Sequence, residues 1–358
     1  MRLGNYFNMN VASTGEATRR MVDLSLVLDV SSSIGSQWSV VRDATREFIN
    51  SFDAAHDRLS LLTFSNGATV LDAMPANRGF DKTRVMADVP GSLPGGSTNM
   101  VEGMYRGWDE LRSVSIGQQS GLRIIVLFTD GASNGVPANW DNNGVAKSMR
   151  TADFPKNYPD PDGQTWDIPS IGGLFDTGSG TASPSVSATP TRWDDKATTV
   201  SGYVYMPAGT LHTHHRSSGI PTSFALQTNA LTVNGTPQNS TSRRGLYLDP
   251  STGRFKANVW NVNNAARNVL EIVSDGARND NGDYKIRIYT IGMGQLVRYN
   301  LGTMPEKPED ILKRISNDLT SPDFNSAQLE GKYFYAQTAA DVAPAFEGIQ
   351  NQILRLSK

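Results

Sequence analysis

The 358-residue chain contains no cysteine, which excludes disulfide bonds, thiolate metal ligands and cysteine nucleophiles together. Charge is also scarce, since only 19% of the residues are charged and the formal net charge is -2. We therefore expect no nucleic-acid partner. Long apolar runs are missing as well: IIVLF at Ile124–Phe128 is far shorter than the roughly 20 residues of a membrane-spanning helix. The first 21 residues lack the apolar centre of a signal peptide, so a targeting segment for export is expected outside this chain.

What the chain does contain is an alternation of apolar strands and amphipathic helices. The nearly continuous apolar sequences Val22–Leu28 and Leu122–Thr129 predict strands that are covered on both faces. Gln37–Phe52 carries apolar residues at the three- and four-residue spacing of a helix. The alternation returns near the C-terminus, with a strand at Tyr284–Ile291 and a final helix at Ala339–Leu356. This pattern predicts an α/β fold with a doubly wound, mostly parallel central sheet.

The alternation is interrupted between residues 131 and 260, where Gly, Pro, Ser, Thr and Asn dominate. Short strand-like segments separated by turns predict a large β-rich or loop-rich insertion there. We therefore divide the chain into an N-terminal segment (1–21), the first part of the α/β domain (22–130), the insertion (131–260) and the second part of the domain (261–358). In such a sheet, ligands bind beyond the carboxyl ends of the strands.

Five oxygen-bearing side chains are candidates for a site at that edge. Asp29, Ser31 and Ser33 alternate in DVSSS, so an extended turn lets all three face one point. Thr98 lies in the glycine-rich GGSTN, and Asp130 follows a strand in FTDG. Two carboxylates and several hydroxyls suit a hard divalent cation, so we predict a Mg²⁺ site, with Mn²⁺ or Ca²⁺ as alternatives. The alternative for the DVSSS segment alone is a polar turn in which a serine caps the next helix.

Together, DVSSS, GGSTN and FTDG resemble the three parts of the metal-ion-dependent adhesion site of von Willebrand factor A domains, in the family's order. The resemblance covers about residues 22–129 and 261–358. It implies that Ser31, Ser33 and Thr98 bind the ion directly. It also implies that Asp29 and Asp130 act largely through water, and that a partner's carboxylate completes the shell.

The two ends of the chain resemble a narrower group, the tight-adherence (Tad, Flp-type) pilus-assembly proteins of bacteria. The resemblance lies in the N-terminal LGNYFNMNVASTGEATRRM and in the C-terminal pattern A-F-x-x-I-x-x-x-I-x-R-L. It implies a minor pilus component, tip adhesin or assembly protein of the bacterial envelope or surface. The partner would be a pilin or another protein ligand that offers an acidic residue. Those proteins have a membrane segment just before such a start, so any membrane anchor is expected outside this chain.

Two other functions suit the same domain. One is an intracellular scaffold of an ATP-driven complex, and the other is a filament subunit whose ion only stabilises the fold. The lack of a P-loop and the Tad-like ends argue against the scaffold. No catalytic set is visible, because a serine hydrolase would need a G-x-S-x-G elbow with a partnered histidine. We therefore expect a protein that is not an enzyme.

Two further kinds of motif are assigned to loops and turns. LHTHH at Leu211–His215 holds three of the four histidines, but no carboxylate accompanies them at a familiar metal-site spacing, so a solvated loop is favoured. DPDG at 160–163 and NDNGD at 279–283 resemble pieces of calcium loops. Neither continues to the distal glutamate of an EF-hand, so both predict turns.

Overall fold

A computed structural model describes residues 20–65, 68–96, 98–137, 259–299 and 306–356 and, between residues 139 and 255, the backbone of short strands. The first part of the chain contributes four strands and three helices to a central sheet. The strands are β1 (Val22–Asp29), β2 (Arg58–Phe64), β3 (Ala68–Asp72) and β4 (Leu122–Thr129), and the helices are α1 (Trp38–Asn50), α2 (Lys82–Asp88) and α3 (Met100–Ser113).

The C-terminal part continues the alternation. It consists of α4 (Val259–Arg278), β5 (Ile286–Met293), α5 (Pro308–Ile315), β6 (Lys332–Ala336) and α6 (Val342–Leu356). The NDNGD segment connects α4 to β5 as a turn, as predicted, and its Asp280 accepts hydrogen bonds from Arg123 at 2.7 Å and from Trp108 at 2.9 Å. That carboxylate is therefore part of a buried ion pair.

The six strands form one sheet in the order β6-β5-β4-β1-β2-β3. All neighbouring strands are parallel except β3, which forms an antiparallel hairpin with β2. This arrangement confirms the predicted doubly wound, mostly parallel sheet. From β1 the chain adds β2 and β3 on one side and then returns to β4 on the other, so the direction of winding changes between β1 and β4. In open α/β sheets, this switch point is where ligands bind.

Helices cover both faces of the sheet, which explains why β1, β2 and β4 are buried along their whole length. One apolar core lies under α3, α4 and α5, and the other lies under α1, α2 and α6. Helix α3 lies very close to the strands: a Cβ at Gly103 would be 2.7 Å from the ring of Phe64 and 3.1 Å from Val27. The absence of a side chain at Gly103 therefore fixes the start of α3 against β1 and β2.

The strands described between residues 135 and 255 are two to four residues long and pair antiparallel. One group has three strands, with Asn139–Asn142 between Val145–Ser148 and Ala197–Val200. The other strands form the pairs Gly135–Pro137 with Gly173–Phe175, Tyr158–Pro159 with Thr165–Trp166, Tyr203–Tyr205 with Ser223–Ala225, Thr232–Val233 with Thr236–Pro237, and Leu248–Asp249 with Arg254–Phe255. The histidine-rich segment and the DPDG segment lie outside the described residues.

The division of the chain at residues 130 and 260 stays a prediction. No helix in the described parts of the chain is long and apolar enough to cross a membrane.

Candidate metal site

The DVSSS segment leaves β1 as a loop whose polar atoms are bonded to one another. Asp29, the last residue of β1, is fully buried, and its Oδ1 accepts a hydrogen bond from the Ser31 backbone N–H at 2.8 Å. The hydroxyl oxygens of Ser31 and Ser33 lie 3.1 Å apart. Ser31 is buried and Ser33 is exposed, so the two hydroxyls lead from the buried carboxylate towards solvent.

Asp130 meets this loop from the end of β4, across the switch point. Its Oδ1 accepts a hydrogen bond from the Ser33 hydroxyl at 2.7 Å. The preceding residue, Thr129, donates its hydroxyl to Oδ2 of Asp29 at 2.6 Å. The register explains this meeting, because Leu28 of β1 pairs with Phe128 of β4 and the two strands end side by side. The result is a cluster of two carboxylates and three hydroxyls that opens to solvent at Ser33.

The pKa values of the two carboxylates are both raised. Burial raises the pKa of Asp29 to about 6, although hydrogen bonds from Thr129 and Ser31 act in the opposite direction. Burial, followed by the charge of Asp29, raises the pKa of Asp130 to about 7. A bound cation would offset both the burial and the mutual repulsion, so the electrostatics of the cluster favour positive charge.

Thr98 lies on the loop between DVSSS and the segment after Asp130. Gly95 and Gly96 of this loop have φ values of 79° and 116°, which residues with side chains rarely adopt. The N–H of Gly96 donates to Oγ of Ser32 at 2.8 Å. On the other side, the N–H of Thr98 donates to Oδ1 of Asn134 at 2.7 Å. Thr98 is itself buried, so its loop is enclosed between the two neighbouring loops.

All five predicted site residues therefore lie on three adjacent loops at the carboxyl edge of the sheet. Direct hydrogen bonds connect Ser33 to Asp130 and Ser31 to Asp29, and the position of Thr98 is fixed through its backbone and its loop.

The donor set consists of hydroxyl and carboxylate oxygens, which fit Mg²⁺, Mn²⁺ or Ca²⁺ and do not fit soft transition metals. Among the described residues, no three His, Cys, Asp or Glu side chains form a metal-binding group. An ion at this edge would therefore depend on serine and threonine hydroxyls as well as the two carboxylates.

Three residues that contribute to this geometry are not found by the sequence reasoning. Thr129 bonds to Asp29, Ser32 bonds to the glycine-rich loop, and Asn134 bonds to Thr98. The first two lie inside the recognised segments FTDG and DVSSS, so their position next to a predicted ligand is a usable signal. Asn134 lies in polar, turn-like sequence that offers no such signal.

The family model of the von Willebrand factor type A domain matches residues 23–155. Among solved structures, the chain is similar to the PilB minor pilin from Streptococcus sanguinis, with 14% identity over 96% of this chain and 64% of that chain and a TM-score of 0.48. It is also similar to the vWF domain of the type V pili tip protein Mfa5 from Porphyromonas gingivalis, with 15% identity over 96% and 98% of the two chains and a TM-score of 0.49. The pilus adhesin SpaC from Lactobacillus rhamnosus GG has 15% identity over 94% of this chain and 31% of that chain, with a TM-score of 0.48.

The chain thus spans less than two thirds of PilB and less than one third of SpaC. All three TM-scores are below 0.5, so the binding properties of those proteins are not assigned to this chain. The assignment of a domain rests instead on the match to residues 23–155, and the six-stranded sheet with helices on both faces agrees with it. The chain contains a von Willebrand factor type A domain.

Proposed function

We propose that the protein is a divalent-cation-dependent protein-binding module of adhesive or assembly type, and that it is not an enzyme. The observation that carries the proposal is the buried pair Asp29 and Asp130, with its hydroxyls, at the switch point between β1 and β4. A pair of buried like charges with raised pKa values is unfavourable by itself, and a divalent cation would neutralise it.

In this proposal Ser31, Ser33 and Thr98 hold the ion through their hydroxyl oxygens, and the two aspartates act through water. The ion would supply a strongly electrophilic centre, because its direct protein ligands are neutral. Asp29 and Thr129 keep the base of the site fixed through their 2.6 Å hydrogen bond. Exposed Ser33 marks the side from which a partner's carboxylate would reach the ion as its last ligand.

The cellular setting is a finer part of the proposal. We place the protein at the bacterial surface as a minor component, tip adhesin or assembly protein of a Tad-type pilus, with a pilin or other acidic protein as partner. The support is the resemblance of the two ends of the chain to that group. The N-terminal end lies outside the described residues. The C-terminal pattern includes Ala345, Phe346, Ile349 and Ile353, all of which are buried in α6 and so also serve the fold.

A peptide array tests the proposal for acidic partners of any sequence. Peptides that contain Asp or Glu are paired with counterparts that contain Asn or Gln, and the protein is applied in Mg²⁺ or in EDTA. We expect binding to a subset of acidic peptides, dependent on Mg²⁺ and lost with their amide counterparts. Asp29→Ala and Thr98→Ala should abolish this binding while the circular dichroism spectrum stays that of the folded protein.

Two variants serve as matched controls. Thr98→Ser retains a hydroxyl ligand and should retain most of the binding, and Ser36→Ala changes an exposed serine in the helical turn Ser32–Gln37 and should have no effect. Partner binding that is equally strong in excess chelator would contradict the proposal.

A purely stabilising ion is the second candidate, and the burial of Asp29 and Asp130 is the observation that favours it. An ion that neutralises two buried carboxylates must stabilise the folded state whether or not a partner binds. A large rise in melting temperature with Mg²⁺, together with no Mg²⁺-dependent binding on the array, would favour this structural role over adhesion. Cell fractionation would separate both from an intracellular scaffold.

A further inference from the structure

The loop that carries Thr98 is attached to both of its neighbouring loops by residues outside the predicted ligand set. Between residues 95 and 98 it passes from the DVSSS loop on one side to the segment after Asp130 on the other. Two polar residues, Ser32 and Asn134, make these attachments.

Ser32 holds the first side of the loop. Its Oγ accepts a hydrogen bond from the Gly96 N–H at 2.8 Å, and its own N–H donates to the Gly96 carbonyl at 3.1 Å. A Cβ at Gly95 would lie 3.1 Å from the same Oγ, so the loop packs directly on the Ser32 side chain. Because Ser32 lies between Ser31 and Ser33, this contact fixes the distance from the Thr98 loop to both serine ligands.

Asn134 holds the second side through both its side chain and its backbone. Its Oδ1 accepts from the Thr98 N–H at 2.7 Å, and its N–H donates to the Thr98 carbonyl at 3.0 Å. The Ser133 hydroxyl lies 3.2 Å from the same carbonyl. Both polar groups of the Thr98 backbone are therefore bonded to Ser133 and Asn134. The next residue of the loop, Asn99, caps α3 by accepting from the Glu102 N–H, so the Thr98 backbone is tied to a fixed helix as well.

We propose that Ser32 and Asn134 are positioning residues of the metal site, which set the Thr98 hydroxyl at its ligating distance before an ion arrives. The proposal rests on the proposed function, since it concerns the same ion. The physical reason is that an ion bound by neutral hydroxyls gains little from each ligand, so a ligand that must first be ordered contributes less to affinity. A loop held in advance avoids that cost.

The same contact connects the metal site to the residues beyond it. Asn134 directly precedes the strand Gly135–Pro137, which packs against α3 and α4. The contacts of Asn134 with Thr98 therefore tie the loop that carries Thr98 to the start of this strand.

Isothermal titration with Mg²⁺ tests the inference, with urea unfolding in EDTA as a second readout. We expect Ser32→Ala and Asn134→Ala each to weaken Mg²⁺ binding about tenfold, in the range known for residues that orient metal ligands. Ser32→Thr and Asn134→Asp keep the hydrogen-bond acceptor and should bind Mg²⁺ no more weakly than the unaltered protein. Ser36→Ala is the control for loss of an exposed serine in the same helical turn.

The outcomes separate this inference from the proposed function. If the unaltered protein binds Mg²⁺ and both alanine variants bind it equally tightly, Ser32 and Asn134 are merely structural and the inference is wrong while the proposed function stands. A loss of urea stability in EDTA without any change in Mg²⁺ affinity would also overturn it. If the unaltered protein itself fails to bind Mg²⁺, both are wrong.

Discussion

Replacing Asp130 with Asn should have opposite effects on the metal-free and the metal-bound protein. Without an ion, Asp130 and Asp29 are two buried carboxylates, and burial followed by the Asp29 charge raises the pKa of Asp130 to about 7. The carboxamide has the same size and can still accept the hydrogen bond from Ser33, but it carries no charge. The substitution therefore removes the unfavourable charge and keeps the shape of the site.

The size of the effect follows from the shifted pKa of Asp130. The difference between its ordinary value of 3.8 and a value of about 7 corresponds to about 4 kcal/mol above pH 7, at 1.36 kcal/mol per pKa unit. This difference already includes the hydrogen bond from Ser33, which acts to lower the pKa of Asp130. We therefore expect Asp130→Asn to raise the free energy of unfolding in EDTA at pH 8 by about 4 kcal/mol.

Urea unfolding at pH 8, followed by circular dichroism, measures this difference. The variant should be more stable than the unaltered protein in EDTA and should gain much less from saturating Mg²⁺. Asp43→Asn, at an exposed ion pair with Arg42, is the control and should change stability by less than about 0.5 kcal/mol in either condition. An Asp130→Asn variant that is less stable in EDTA would refute the reasoning, because the carboxylate charge would then be satisfied by the protein alone.

Three further predictions concern the rest of the domain. Burial raises the pKa of Glu102 from 4.5 to about 7, so the ionisation of Glu102 should by itself lower the free energy of unfolding by about 3 kcal/mol as pH rises from about 4.5 to 7. Glu102→Gln should therefore lose less stability than the unaltered protein over that range, and urea midpoints with parallel pH profiles would contradict this. Asp280→Asn should lower the free energy of unfolding by about 3–5 kcal/mol, because it leaves the fully buried Arg123 without its carboxylate. A decrease no larger than that of Asp43→Asn would be inconsistent with this ion pair. Mg²⁺ at 100 times its dissociation constant should add about 2.7 kcal/mol to the free energy of unfolding, and an unchanged melting curve would show that no ion binds the folded state.

The strands of the central sheet could be predicted from sequence because burial on both faces leaves a simple signature. Leu122–Thr129 is a nearly continuous apolar run, and the predicted strand coincides with β4. The meeting of Asp29 with Asp130 could be predicted for a related reason, since parallel strands place the residues that follow them at one edge. Asp29 and Asp130 each occupy such a position, and the register brings β1 and β4 to an end side by side.

Features that depend on contacts between distant segments could not be predicted. Helix α5 ends at Ile315, because Asn317 adopts φ 54° and its Oδ1 accepts from the N–H of Asn325. Asn134 is a similar case. Its role depends on a hydrogen bond to Thr98, 36 positions earlier in the chain, and nothing in the local sequence distinguishes it from a turn residue.

A crystal soaked in Mn²⁺ tests the central claim most directly, because Mn²⁺ takes the same hard oxygen ligands as Mg²⁺ and can be located by its anomalous scattering. We predict an anomalous peak at the carboxyl edge of the sheet, within about 2.1–2.3 Å of the hydroxyl oxygens of Ser31, Ser33 and Thr98. Asp29 and Asp130 should lie one water molecule away from it. No peak at this edge, or a peak that the Thr98 hydroxyl does not contact, would contradict the claim.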